Sequence, residues 1–593
     1  MMSPAQATYD AALVDSSQSA TRHVARGVRW WETLSIFVLT SVVLSLFIPR
    51  ILTYLDPVTG DEPFYLMTAI SMWEDHDLNE CNNYRDFDEE RLYPPGYALF
   101  KLPRGFKGWD KAPLPLMPHN AQISPWWRAC VSTDPEDPLP DDGTGNEMYS
   151  KHGLGLSLLI LPSFVIGDRA GVVFFLTLLG AALAANVYLF ARESTGKMMP
   201  ALLTWVAFAF TAPQMPYSYL IFPELPAALF VIYAFRRIRL WNNNTLQLAL
   251  IGFSIAFLPW LHYRFVPVSA GLFAYFVYQE FKHRGAARWG KYVLVAAQSV
   301  VSAVLLMAFF YHRYETIYPN PDDHAGISDV AGTIRGVVGL FIDQQWGLFI
   351  AAPIFILALV GVLVMAVERG WRKDLLWIGI VFLPYFALIA NYAQWWGEWC
   401  PPARYLASVL PLLALPFAVS LDNIKSVLYK GIYGALLALS ILVMAGFLSQ
   451  PKWMYNQPNG KSLVILNGLP ELLRSLPGNL PARSITDEVL ASLPTFVVPY
   501  FAYTRVGEEL GDIWSALAWE RSIVPVLFVG FVLVTSLAIA WWPKRDTSEI
   551  ASYQDDHADE QPSHMVSLPV AVEEPEIAVL PSVELSQKES SRP

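Results

Sequence analysis

Charge is scarce in this sequence. Of its 593 residues only 16% are Asp, Glu, Lys or Arg, against 54% hydrophobic ones, where soluble chains carry about 25% charged residues. That shortage excludes an ordinary water-soluble protein of this length. No basic stripe with interleaved aromatics is present and the formal net charge is −11, so nothing favours nucleic acid as a partner. Cysteine is nearly missing, at three residues (Cys81, Cys130 and Cys400), and neither a Cys pair nor a His-x-Glu string marks a metal site. No solenoid period and no inverted pair of broken apolar segments appears, which weakens the case for a secondary transporter. A cleavable signal is also missing. Met1–Ala20 is polar, and Arg22, Arg26 and Arg29 precede the first apolar run. Residues 1–32 therefore read as a cytoplasmic tail leading into an uncleaved signal anchor.

What the chain has in abundance is apolar runs of about 20 residues, the length a helix needs to cross a bilayer. The expected fold is an all-α polytopic membrane protein, with its transmembrane domain over 33–545 and a disordered acidic tail over 546–593. Thr33–Leu52 is the first span, and 56–169 follows as a long outer loop. Gly153–Gly167 is apolar but short and broken by Pro162, so whether it crosses sets the orientation of everything after it. Laid in the interface as a juxtamembrane helix, it leaves spans at Ala170–Ala191, Met199–Ala212, Tyr219–Phe235, Leu246–Leu261, Phe265–Phe281, Tyr292–Tyr311, Gly347–Val367, Leu375–Asn391, Tyr405–Leu421, Gly431–Leu448 and Ile523–Trp542. In that register the clusters at Arg192/Lys197, Arg236/Arg237/Arg239, Lys282–Lys291, Arg369/Arg372/Lys373, Lys425/Lys430 and Lys544/Arg545 all face the cytoplasm, and a crossing segment would turn every one outward. The expectation is about 12 spans with both termini inside, and 450–521 as the last outer loop.

The polar side chains with chemical potential then gather on the outer side. Gly60-Asp61-Glu62-Pro63 follows the first span, with Asp61 placed as an N-cap, Pro63 in the first turn and an amphipathic helix to about Asp75. Asp61 is either a cap beside a solvated Glu62, or a carboxylate held at the interface for use. Lys151 precedes the juxtamembrane helix, as an anion ligand or a lysine snorkelling to headgroups. Glu224, in Phe222-Pro223-Glu224-Leu225-Pro226, falls about one turn inside a span, where an acid must be paired or face a polar cavity. His262-Tyr263-Arg264 is a tight turn whose His and Arg offer donors to a phosphate, of a substrate or of a lipid headgroup. Arg404 closes the run Gln394-Trp395-Trp396-Gly397-Glu398-Trp399-Cys400-Pro401-Pro402-Ala403-Arg404, and its planar fork suits phosphate. The three tryptophans alone also fit an aromatic belt. Cys81 and Cys130 share one outer loop, where they are a disulfide or two free thiols.

Taken together these stretches resemble the polyprenyl-phosphate-sugar-dependent glycosyltransferases of the GT-C fold, which include protein O-mannosyltransferases and the aminoarabinose transferase of lipid A. The resemblance runs from about Trp30 to Pro416. It rests on Asp61-Glu62 after the first span, the Lys151-x-Gly153 stretch, Asp168-Arg169-Ala170-Gly171 opening the second span and Glu224 after Pro223. Trp346-Gly347-Leu348-Phe349 with Ala352-Pro353, and the run from Trp396-Gly397 to Pro402-Ala403-Arg404-Tyr405, complete it. Two departures stand out: the first loop is longer than in compact members, and 450–521 is too short for the large soluble domain some carry. The resemblance implies outer juxtamembrane helices and inverting transfer from a polyprenyl-phosphate-linked sugar to a hydroxyl of a glycan, lipid or protein at the outer face of the cell membrane. It implies Asp61 as general base and Glu62 as the group that tunes it or orients the acceptor. Lys151, His262, Arg264 and Arg404 would bind the lipid phosphate, Glu224 a sugar hydroxyl or Lys151, and Tyr65 and Trp396 would line the substrate site. Asp61, Glu62 and Glu224 could also recruit a divalent cation. A transporter or flippase of a lipid-linked sugar, with Glu224 and Arg264 along its path, is the alternative. It would need ionisable positions near the midplane open to both faces. A glycan ligase or polymerase would need an outer loop richer in Arg and His than His312–Gln345.

Overall fold

The computed structural model describes residues 29–55, 60–80, 83, 150, 152–241, 243–283, 289–314, 316–317, 328–397, 399–422 and 426–456. All of them belong to the first of two contact-defined units, Met1–Ala540. The tail from 546, the last expected span, Cys81, Cys130 and Lys151 lie outside the described residues.

The described chain is helical and carries no strand. It opens with α1 (Trp30–Ser45), α2 (Ile48–Tyr54) and α3 (Glu62–Ile70). α3 continues as a π-helical turn over Ser71–Asp75, so the expected end at Asp75 is met. Next come α4 (Leu154–Thr195), α5 (Met198–Ala209), α6 (Glu224–Leu240), α7 (Thr245–Leu261) and α8 (Val266–Lys282). After these follow α9 (Trp289–Tyr314), α10 (Val330–Ile342), α11 (Ile356–Val367), α12 (Arg372–Ala390), α13 (Ala414–Asp422) and α14 (Val427–Ser449). Local chemistry marks the ends. Asn244 and Gln247 form a reciprocal capping box at α7, Asp329 caps α10 through the Gly332 amide, and Gly196 closes α4 in the left-handed conformation.

Five helical stretches among the described residues are long and apolar enough to cross a membrane: Trp30–Tyr54, Leu154–Thr195, Val293–His312, Arg372–Ala390 and Val427–Ser449. This is a membrane protein, and the other expected spans that fall among the described residues take shorter or broken forms. α4 is one 42-residue helix by its ends, but Gly167 and Asp168 leave helical geometry and divide it where the juxtamembrane segment was expected to meet the second span. The stretch 347–367 is split by Pro353 into a turn at Leu348–Ala351, a 3-10 turn at Pro353–Phe355 and α11. Tyr405–Leu421 is likewise no single helix: a turn at Arg404–Ala407 and a 3-10 turn at Leu410–Leu413 precede α13, with Pro411 and Pro416 in the run. α10 lies in what reads from sequence as loop. Its Gly336 lets it approach the end of α12 at Ala390.

The core sits around α6, which is buried on nearly all sides between α4, α7 and α8. This helix also separates two polar ends. At its C-terminal end Arg236 Nη1 meets Glu193 Oε1 at 2.7 Å and Arg239 grips Asp374 with two bonds of 2.9 and 3.0 Å. Glu32, buried in α1, joins them by accepting from Tyr188 Oη at 2.8 Å, with Arg192 Nε at 3.7 Å. Several clusters that read as cytoplasmic positive charge are therefore ion-paired between helices. Fifteen residues of α6 separate Arg239 from Glu224, roughly 22 Å at 1.5 Å per residue, and Glu224 belongs to the other end.

Candidate active site

Four charged side chains from distant parts of the chain meet at the N-terminal end of α6. Pro223 and Pro226 set the start of that helix, so Glu224 is its first residue and not a turn inside a span. Arg404 opens the turn Arg404–Ala407 after a loop in which Gly397, Trp399 and Ala403 all have positive φ (87°, 40° and 57°). Such angles in non-glycine residues persist only where the surroundings hold them. Here the hold is visible: the Ala403 amide donates to Trp346 O at 3.0 Å, and the Asp343 carboxylate accepts from the Gln345 and Trp346 amides at 2.8 Å each. Asn456 clasps the same loop by donating to Gln345 O at 2.9 Å, and pairs by backbone with Cys400.

The Arg404 guanidinium is fixed in three directions. Nε donates to Glu224 Oε1 at 2.8 Å, Nη1 to Gly397 O at 2.8 Å, and Nη2 to Asp61 Oδ2. Its carbon lies 4.6 Å from the Phe222 ring centre and 5.4 Å from that of Tyr405. Arg264, from the turn between α7 and α8, shares the acid: Nη2 donates to the same Glu224 Oε1 at 2.6 Å, with the guanidinium 4.7 Å from the Tyr405 ring. Glu224 is wholly buried and anchors two arginines, while Lys151, one of the partners expected of it, lies outside the described residues. Both guanidinium pKa values are raised, because the facing carboxylates outweigh burial.

Asp61 occupies the N-cap position of α3, but its side chain makes no capping bond; it reaches Arg404 instead. The cap reading is thereby corrected: the backbone at φ −86°, ψ −12° is not the extended conformation a cap uses. Gly60 delivers it in a left-handed turn (φ 66°) pressed against Trp399 O, where a Cβ would come within 2.9 Å. Glu62 is not a solvated first-turn acid. It is buried, facing Arg169, the Ile221 amide and the Tyr455 hydroxyl, and burial pushes its carboxyl up to about 7, Arg169 opposing. Arg169 itself donates to Leu55 O at 2.6 Å, beside the break in α4.

His152 has no role in the sequence reading, yet its Nδ1 stands 4.0 Å from Asp61 Oδ2 and its ring packs on Phe64 and Tyr65 at 5.0 and 5.2 Å. The signal was the pair of glycines that follow: at Gly155 a Cβ would lie 2.5 Å from the Trp260 carbonyl carbon, so only glycine lets α4 close on the end of α7. His262, at that end, accepts from the Arg264 amide through Nδ1 at 3.2 Å, which leaves the proton on Nε2. Burial and the charges of Arg264, His152 and Arg404 drive its pKa well below the usual value, so it is neutral. Tyr65 is buried near all four charges, and its Oη, Glu224 Oε2 and Arg264 Nε have no hydrogen-bond partner among the described residues. Trp395 and Trp396 are buried edge to face, 5.7 Å apart, which corrects their reading as a lipid-facing belt. Among the described residues no three His, Cys, Asp or Glu side chains gather as metal ligands. The acids considered for a divalent cation fit it poorly, since two guanidiniums occupy Glu224 and one of them holds Asp61. Searches against family models, curated proteins and solved structures found no match.

Proposed function

We propose that the chain is an integral membrane glycosyltransferase of the GT-C kind, moving a sugar from a polyprenyl-phosphate donor to an acceptor hydroxyl with inversion at the anomeric carbon. The observation that carries this reading is the direct contact of Asp61 with an immobilised Arg404 at the rim of a buried, mixed-charge cluster. Displacement at a sugar carbon needs a proton acceptor on one side and fixed positive charge where the leaving phosphate gathers electrons. In the proposed step the acceptor oxygen gives its proton to Asp61 and bonds to the anomeric carbon. The bond from that carbon to the phosphate oxygen breaks, and its electron pair stays on the phosphate beside Arg404 and Arg264. Neutral His262 offers its Nε2 proton as a donor, and Tyr65 Oη can hold a substrate oxygen. Glu224 positions both arginines. Lys151 and Trp396 keep their assignment to the substrate site by resemblance alone. The positive-inside register puts this end outside the cell membrane, with both termini in the cytoplasm and a glycan, lipid or protein as acceptor.

The test is sugar transfer by full-length protein in nanodiscs, with a panel of polyprenyl-phosphate sugars and membrane-extract acceptors. Transfer with inverted configuration is expected from at least one donor. Binding of a donor without transfer would replace this reading with transport of a lipid-linked sugar.

A further inference from the structure

Three acceptors hold Arg404, and they are not equivalent. Glu224 is fully buried and shared with Arg264, and the Gly397 carbonyl belongs to the loop that Arg404 itself follows. With two aromatic rings against the guanidinium, neither can leave without dismantling the core. Asp61 differs: its side chain is 24% exposed where that of Arg404 is 5%, and it hangs from a glycine turn with no capping bond to α3. Charge makes the same distinction. Asp61, Glu224, Arg264 and Arg404 sum to zero, so a phosphate finds no net positive charge among these four while Asp61 stays in place. A carboxylate bound to a guanidinium is also a poor proton acceptor, because the pairing favours its ionised form.

We propose that the Asp61–Arg404 ion pair is an autoinhibitory latch: the phosphate of the donor displaces Asp61 from Arg404 Nη2, and the released carboxylate becomes the base for the acceptor. This rests on the transferase reading. The guanidinium stays where Glu224 and Gly397 hold it and exchanges one anion for another. Asp61 moves toward the His152 imidazole, already 4.0 Å away. The base is thus armed only when a leaving group is in place, which keeps the site inactive toward hydroxyl acceptors alone.

The probe is farnesyl phosphate, and the readout is the labelling of Asp61 by a water-soluble carbodiimide and an amine, followed by mass spectrometry of the full-length protein in nanodiscs. A latch requires labelling to rise several-fold when farnesyl phosphate binds. It also requires, by reciprocity of coupled binding, that Asp61→Asn bind farnesyl phosphate about tenfold more tightly than wild type. Binding that leaves Asp61 labelling unchanged or lowers it overturns the latch and spares the transferase reading, since a phosphate lying beside an undisturbed ion pair would only shield it further. No binding of farnesyl phosphate to folded wild type sinks both, as does binding to folded Arg404→Lys that is as tight as to wild type. Because the labelling is read on the unmutated protein, a variant that fails to fold does not decide the outcome.

Discussion

At the scale of single residues, the site is a set of shared atoms. One carboxylate oxygen of Glu224 serves two arginines, and one guanidinium serves two acids and a carbonyl. Removing a partner from so buried a network leaves a charge without compensation, which costs about 3–5 kcal/mol. Glu224→Ala should therefore both destabilise the protein and abolish transfer, with the loss visible in a thermal melt before any assay. Glu62 makes a separate prediction. Its carboxyl stands at about 7 in the folded protein against an ordinary 4.5, so the folded state binds this proton more tightly than the unfolded one. The stabilisation is complete below pH 4.5 and is lost as pH rises through 7, to an extent on the order of 3 kcal/mol at 1.36 kcal/mol per unit. Glu62→Gln should melt like wild type near pH 4.5 and above it at pH 8. Equal melting at both values would show that Glu62 is not held protonated.

At the scale of elements, much was legible because it depends on local pattern. Pro63 after an acid pair marks the start of α3, its end at Asp75 follows from the apolar periodicity, and the Pro162–Asp168 region shows as a break. Long-range contact is what the pattern does not encode. That Asp61 would serve Arg404 and not its own helix depends on a contact across a sequence separation of 343. The buried tryptophans, the Asp343 turn and the clasp at Asn456 arise from packing between elements, and period alone cannot place α10 in a loop. Glu224 was legible as an acid in need of a partner, but not as the first residue of a helix. The close approach of α4 and α7 gives a test at this scale. Gly155→Ala places a methyl against the Trp260 backbone, and overpacking of this kind costs about 1–3 kcal/mol. The variant should melt lower and lose transfer disproportionately, because the strain falls next to His152 and His262. A variant with normal activity and stability would mean that the approach is not tight.

At the scale of the whole molecule, α6 carries its ion pairs at its two ends with an apolar stretch of helix between them. The division of labour is clear in exposure. The Arg236–Glu193 pair ties helices together out of reach of solvent, while the Arg404 cluster keeps one carboxylate at its rim. Replacing Arg236 with Met should weaken the fold by stranding Glu193, yet leave the donor preference unchanged in whatever fraction stays folded. The central claim concerns Asp61, and the most direct measurement is the rate of sugar transfer by Asp61→Asn against wild type, both verified as folded by melting. Asn keeps the size of the side chain and a hydrogen bond to Arg404 but cannot take a proton at neutral pH. A fall of about 10²–10⁴-fold, the usual loss when a general base is removed, is the expected result. Transfer at the wild-type rate would contradict the account, leaving Asp61 as an ion-pair partner of Arg404 and nothing more.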